Sequence, residues 1–308
     1  MKSKNILAVL SAFAAAVLLS GCAVSAAPGG DEDQSVNDSF IEDSFDEPES
    51  EGNNNGNSEN NDNELVVPPQ PTLPEDNGQP PDDAVVKPVE PENKPAAQTV
   101  FYLKVTADGV NMRSGAGTNY SVKGTAEKNT LYAYSGESDG WYKTHYKNAD
   151  VYISKKYCVI VEMQKNENEK VEKVIEQGTK LLGTKYVYGA IRFHNGNGVK
   201  LSGFKISEFD CSSLMQYMFY HGADVMLSLT TRTQVVQGKT VSKSNLKRGD
   251  LMFFTNANRK DKVGVERIGH VALYLGDNLI LHTASDYAKI EQISSVRWGY
   301  YVQSQRMI

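Results

Sequence analysis

Three residues of this chain have the types and settings of a nucleophilic catalyst: Cys211, His270 and His282. Cys211 stands in Phe209-Asp210-Cys211-Ser212-Ser213, followed by Leu214, Met215, Met218 and Phe219 at the spacing of one helix face. Asp210 or Ser212 can cap the start of that helix and Gly222 its end, which puts the thiol in the first turn. A thiol is a poor nucleophile until ionised. The positive end of a helix favours the thiolate and lowers its pKa, and a neighbouring base completes the activation.

The strongest base is His270, in Ile268-Gly269-His270-Val271-Ala272-Leu273-Tyr274-Leu275. This run and Leu279-Ile280-Leu281-His282-Thr283 flank Gly276-Asp277-Asn278 and read as the two strands of a hairpin. A three-residue loop pairs Leu275 with Leu279 and Ala272 with His282, so both imidazoles share a face. A two-residue loop puts them on opposite faces. On the first register His270 serves as base toward Cys211 while His282 orients it, the logic of a triad for acyl transfer.

Other residues of the same types read as structural. Cys158, in Tyr157-Cys158-Val159-Ile160, reads as packing, since an unpaired cysteine is among the most buried residue types. His145, His194 and His221 read as surface or structural residues. No cysteine pair has the spacing of a zinc site, and neither metal nor organic cofactor is expected. A Cys158–Cys211 bridge is the alternative that would leave no thiol for catalysis.

The elements that must hold these residues lie in the carboxyl-terminal two thirds. The chain has 308 residues, 40% apolar and 23% charged, enough for two modest domains and too polar for a multispanning membrane protein. All eleven prolines lie between Pro28 and Pro95, so a boundary falls near Ala97. Residues 23–97 carry 19 acids against Lys87 and Lys94, whereas residues 98–308 carry 28 bases against 19 acids. A basic folded part therefore follows an acidic, Pro- and Asn-rich linker whose composition predicts disorder.

Lys2 and Lys4 precede the apolar run Ile6 to Leu19, the length of a signal-peptide core rather than a membrane span. Residues 98–162 offer short β-branched and aromatic runs (Phe101 to Val105, Thr130 to Tyr134, Trp141 to Tyr146, Val151 to Ile153) between Gly and Asn turns, the pattern of a small all-β barrel. Tyr120, Tyr134 and Tyr142 read as residues packed within it, with ligand stacking as the alternative. Val171, Val174, Ile175, Leu181 and Leu182 then recur at helical spacing over Glu169 to Gly183, opening a second domain at residues 165–308. Lys247-Arg248-Gly249-Asp250 reads as a turn into the strand Leu251 to Phe254, with Asp250 structural.

Three resemblances follow from these motifs. Leu19-Ser20-Gly21-Cys22 resembles the end of a bacterial lipoprotein signal, which implies cleavage of residues 1–21 and a lipid on Cys22. Val110 to Thr118 with Gly140-Trp141-Tyr142-Lys143 resembles the bacterial Src-homology-3-type domain, though Ala116 stands for a frequent proline and Val151 for a frequent glycine. KYVYG, FDCSS, LKRGDLMFF, IGHVALYLGD and LILHTAS occur in the order seen in the NlpC-type cell-wall cysteine peptidases.

That last resemblance implies an α+β, reduced papain-like fold. It makes Cys211 nucleophile, His270 general base and His282 the orienting third member. Tyr186 would help stabilise the oxyanion beside the backbone amide of Cys211. Asp210 and Ser212 would hold the free amino end of the substrate. Ser213 and Ala190 depart from frequent glycines, and Gly189 to Asp210 is longer than usual in the family. The implied protein is a monomer held outside the cell membrane by its lipid, acting on peptidoglycan stem peptides between D-glutamate and the diamino acid, with no nucleic-acid partner. The alternatives are a non-catalytic wall-binding lipoprotein, or an amidase or acyltransferase using the same thiol.

Overall fold

The computed structural model describes residues 98–308. The signal segment, Cys22 and the linker expected over 22–97 lie outside the described residues. Eight strands open the described chain: β1 (Thr99–Val105), β2 (Val110–Arg113), β3 (Val122–Ala126), β4 (Leu131–Ala133), β5 (Gly136–Ser138), β6 (Trp141–Tyr146), β7 (Ala149–Ser154) and β8 (Cys158–Gln164). They form a three-stranded sheet, β4-β1-β8, and a five-stranded sheet, β3-β2-β7-β6-β5. Tyr102, Leu103, Val105, Met112, Val151 and Ile153 are buried, so Val151 serves the core here. Tyr134 and Tyr142 pack edge to face 5.8 Å apart, while Tyr120 is exposed at 46%.

The second part holds α1 (Glu169–Lys180), β9 (Lys185–Tyr186), β10 (Glu208–Phe209), α2 (Cys211–Ala223), α3 (Thr231–Gln234), β11 (Lys239–Val241), β12 (Leu251–Phe254), β13 (His270–Gly276), β14 (Leu279–Ala284), β15 (Tyr287–Gln292), α4 (Ser295–Gly299) and β16 (Tyr301–Arg306). One eight-stranded sheet runs β10-β9-β15-β14-β13-β12-β16-β11, antiparallel except for the pair β9–β10. Val171, Val174 and Ile175 of α1 and Leu214, Met215, Met218 and Phe219 of α2 are buried in one core with Leu273, Leu281 and Ile290 of the sheet. A smaller cluster holds Met252, Phe254, Ala272, Ile280 and Ile293. The expected α+β architecture with a preceding β module is what the chain adopts.

Gly222 does not end its helix. The αL cap is Asp224, at φ 58°, and Gly222 lies inside the last turn, where a Cβ would come within 2.5 Å of the Cα and N of Val174. It is a point of close approach between α2 and α1. Gly183, at φ +83°, does follow α1 as expected, with the Tyr146 ring against it.

Several contacts join the β module to the second part. The β6–β7 turn donates Lys147 N–H to Leu182 O (2.8 Å) and Asn148 N–H to Lys180 O (2.7 Å), satisfying carbonyls at the end of α1. Arg248, only 7% exposed, donates to both carboxylate oxygens of Glu172 on α1 (2.7 and 2.9 Å), to Tyr102 Oη on β1 (2.9 Å) and to Leu275 O on β13 (2.9 Å). The KRGD turn is thus a fastener as well as a turn. Asp250 accepts two 2.8 Å bonds from Arg306 and one from Lys247 N–H at 2.7 Å, which makes both residues structural.

Candidate active site

Cys211 is the first residue of α2. Asp210 caps that helix in a reciprocal capping box, its Oδ1 accepting from Ser213 N–H (2.7 Å) while Ser213 Oγ accepts from Asp210 N–H (2.9 Å). A serine at 213, where glycine is frequent, therefore locks the turn that carries the thiol. The helix packs against β13 and β14, the two strands that carry the histidines.

In the hairpin between those strands, the three-residue loop with Leu275 opposite Leu279 is not the one that forms, although the shared face expected from it is kept. The turn has two residues, Asp277 (φ 48°) and Asn278 (φ 60°), closed by the pair Gly276↔Leu279. A bulge between Tyr274 and Gly276 then adds one residue to β13, so that Leu273 faces Leu281 and, by extension, Ala272 faces His282. The bulge restores the phase that brings His270 and His282 to one face. Their rings stand nearly perpendicular, with His270 Nε2 3.0 Å from His282 Nδ1.

Both rings are buried. Burial, then the neighbouring His282 and Arg297, hold His270 well below the ordinary imidazole pKa. His282 is lowered by burial and Arg297, against the opposing pull of Glu291. Both are therefore neutral at pH 7. His270 engages His282 through Nε2, so the nitrogen that would exchange a proton with a thiol is Nδ1.

The other anticipated residues fall beside α2. Tyr186, on β9, pairs with Phe209 of β10, two residues before Cys211. Asp210 Oδ1 also accepts from Ser212 Oγ (3.1 Å), and its Oδ2 lies 2.9 Å from Arg192. Arg192 further donates to Ala190 O (2.9 Å) and Leu229 O (3.0 Å), tying the segment after Gly189 to the start of α2. Sequence reasoning missed Arg192, which lies in a polar stretch without periodicity.

Two more residues were missed. His282 Nε2 lies 3.1 Å from Glu291 Oε1 on β15, and Arg297 of α4 donates to that same oxygen at 2.6 Å. The alternation of β15 was the available signal, since Ala288 and Ile290 are buried as one set while Lys289 and Glu291 form the other. Cys158 and Cys211 form no disulfide, and burial pushes the Cys158 thiol up to about 11, unsuited to nucleophilic work. His194 is wholly buried under an aromatic cluster that includes Phe193 and Tyr220, a structural setting. A cavity of about 840 Å³ lies between the β module and α1, but Cys211, His270 and His282 do not line it.

A helix-borne thiol beside a sheet carrying two coupled imidazoles defines a candidate thiol-acyl-transfer centre. Residues 183–307 match the NlpC/P60 family and residues 108–158 the bacterial SH3 domain, so the chain carries an NlpC/P60 domain behind a bacterial SH3 domain. Among curated relatives, a probable endopeptidase NlpC homolog of Haemophilus influenzae is 28% identical over 130 residues, 42% of this chain and 65% of that protein. The peptidoglycan endopeptidase RipA of Mycolicibacterium smegmatis is 33% identical over 136 residues, 44% of this chain and 25% of that protein. A gamma-D-glutamyl-L-lysine dipeptidyl-peptidase of Bacillus subtilis is 28% identical over 162 residues, 53% of this chain and 47% of that protein. The chain thus spans between 25% and 65% of the length of these relatives.

Proposed function

We propose that this protein is a peptidoglycan endopeptidase that hydrolyses the bond between D-glutamate and the diamino acid of wall stem peptides. The observation that carries this reading is the hydrogen-bonded pair His270–His282 on strands packed against the helix that begins with Cys211. The names of the relatives in Mycolicibacterium and Bacillus supply the substrate class and the bond.

In this mechanism His270 Nδ1 takes the Cys211 proton, and the helix amino terminus favours the thiolate left behind. The sulfur attacks the scissile carbonyl carbon. The oxyanion that forms is met by the backbone N–H of Cys211, one of the donors a helix leaves without an intrahelical acceptor, and by the Tyr186 hydroxyl. His270 returns its proton to the leaving amine as the C–N bond breaks, giving a thioester. Water then adds with His270 as base, and the thiol is regenerated. On this reading the protein works outside the cytoplasmic membrane, held there by a lipid on Cys22, as a monomer.

Cys211→Ala tests it. Release of peptide fragments from purified wall, followed by mass spectrometry, should fall to background while the thermal transition is retained. Full release by that variant removes the thiol mechanism. Fragments cut at a different amide would keep the chemistry and change the substrate bond.

A further inference from the structure

The polar chain does not end at the second histidine. From His270 it passes to His282 (3.0 Å), to Glu291 (3.1 Å) and to Arg297 (2.6 Å). His282 and Arg297 are buried, and the Glu291 side chain is 31% exposed. Register explains the placement: Ile280 faces Glu291 and His282 faces Lys289, so Glu291 is the diagonal neighbour of His282 on the same face of the sheet. Arg297 is held in turn by α4, whose cap is Ser294 Oγ accepting from Arg297 N–H at 3.1 Å. Lys289 Nζ lies 3.8 Å from the second Glu291 oxygen and 2.9 Å from Asp286.

The donor inventory of these groups fixes where each proton sits. An ionised carboxylate only accepts, so His282 Nε2 must carry hydrogen. A neutral His282 then presents Nδ1 as an acceptor, and the hydrogen shared with His270 belongs to His270 Nε2. That leaves the lone pair of His270 on Nδ1, as a general base toward a thiol requires. In the opposite tautomer Nδ1 carries hydrogen and cannot accept the thiol proton.

We propose that Glu291, braced by Arg297, is a positioning residue that selects the base-competent tautomer of His270 through His282. Burial alone would raise the Glu291 carboxyl, but His282, Arg297 and Lys289 outweigh it and bring it to about 2, so it remains an acceptor throughout the neutral range. The kinetic consequence rests on the peptidase reading, whereas the tautomer does not.

The experiment uses the full chain with ¹⁵N-labelled histidine, comparing wild type with Glu291→Leu and Glu291→Gln by long-range ¹H–¹⁵N correlation at pH 7.5. Wild type should show His270 with hydrogen on Nε2 alone. Glu291→Leu should show both tautomers, with kcat lowered about 10–100-fold, the scale of losing an outer partner that orients a histidine, and KM little changed. The side-chain amide introduced by Glu291→Gln can turn either its oxygen or its NH₂ toward His282, so a mixture and an intermediate kcat are expected. Hydrogen on His270 Nδ1 in wild type overturns the proposal even if no variant folds. An unchanged tautomer and kcat in folded Glu291→Leu overturn it as well. A wild type that cleaves no wall peptide removes only the peptidase reading.

Discussion

Arg192 places its guanidinium 2.9 Å from Asp210 Oδ2, one residue before the thiol. The other carboxylate oxygen is engaged by Ser213 N–H and Ser212 Oγ. Family resemblance implies that Asp210 and Ser212 receive the amino terminus of the substrate, yet this chain supplies a cation of its own there. If that implication holds, a substrate ammonium would share the carboxylate with Arg192.

Arg192→Ala should therefore change substrate preference more than activity itself. In wild type, stem peptides with free and with acylated amino ends should have similar kcat/KM. Removing Arg192 should favour the free amine about tenfold or more, the scale of one charge-assisted hydrogen bond of about 1.5 kcal/mol. Taking the ratio of the two substrates cancels any general loss of folding. An unchanged ratio would place the amino end of the substrate away from Asp210.

Gly222 offers a test of helix packing that leaves every reacting group in place. A Cβ there would lie 2.5 Å from Val174 backbone atoms, which cannot retreat as a flexible side-chain tip can. Gly222→Ala should cost about 1–3 kcal/mol as an overpacked contact, even though alanine is the better helix former. Thermal unfolding should register a lower Tm, by roughly 2–4 °C per kcal/mol for a protein of this size. A Tm at or above wild type would mean that α1 and α2 are not held at this distance.

How far these features were legible depended on whether their causes were local. The capped thiol could be read because Asp210, Cys211 and the apolar stripe lie within one stretch of chain, although the choice between Asp210 and Ser212 as cap and the part played by Ser213 came only with the structure. The shared face of His270 and His282 was legible only as one of two registers. Gly276-Asp277-Asn278 specifies a turn but not the bulge before it, which shows only in the pairing of β13 with β14. Gly222 reads as a helix stop because glycine favours that role, and the crowding that requires it comes from Val174, on a helix far earlier in the chain. Glu291 and Arg297 look like ordinary surface charges along the chain. They acquire meaning only when β15 pairs with β14 and α4 brings Arg297 to Glu291.

The histidines predict how stability responds to acid. All five in the chain, His145, His194, His221, His270 and His282, are lowered, each chiefly by burial. An unfolded imidazole protonates near pH 6.5, above these folded values, so the unfolded state binds more protons as pH falls. The stability carried by the two deeply buried rings, His270 and His282, is therefore complete above about pH 6.5 and declines below it, by up to about 1.4 kcal/mol per pH unit for each, whereas the exposed His221 and the half-buried His145 add less. Glu291 does not enter this window, because its contribution is lost only as pH falls from about 4.5 toward 2. Tm should drop between pH 7 and 5.5, and His282→Gln should lessen the slope. A flat Tm over that range would show these rings accept protons without unfolding.

The tie between the β module and the catalytic part can be tested at Arg248, whose guanidinium meets Glu172, Tyr102 and Leu275 at once. Buried ion pairs contribute less than their geometry suggests, because both charges must leave water, but removing one partner strands the other. Arg248→Met should cost about 3–5 kcal/mol, as Glu172 is left without its cation and the Tyr102 hydroxyl without its donor. The triple variant Arg248→Met, Glu172→Leu, Tyr102→Phe should recover most of that loss, since it leaves no uncompensated charge. Calorimetry adds a second measure, because wild type should melt in one transition if this contact couples the two parts. Arg248→Met should separate the melting of the β module from that of the helices and eight-stranded sheet. If the single variant melts as wild type does, in one step at the same temperature, the coupling resides instead in the β6–β7 turn that caps the end of α1.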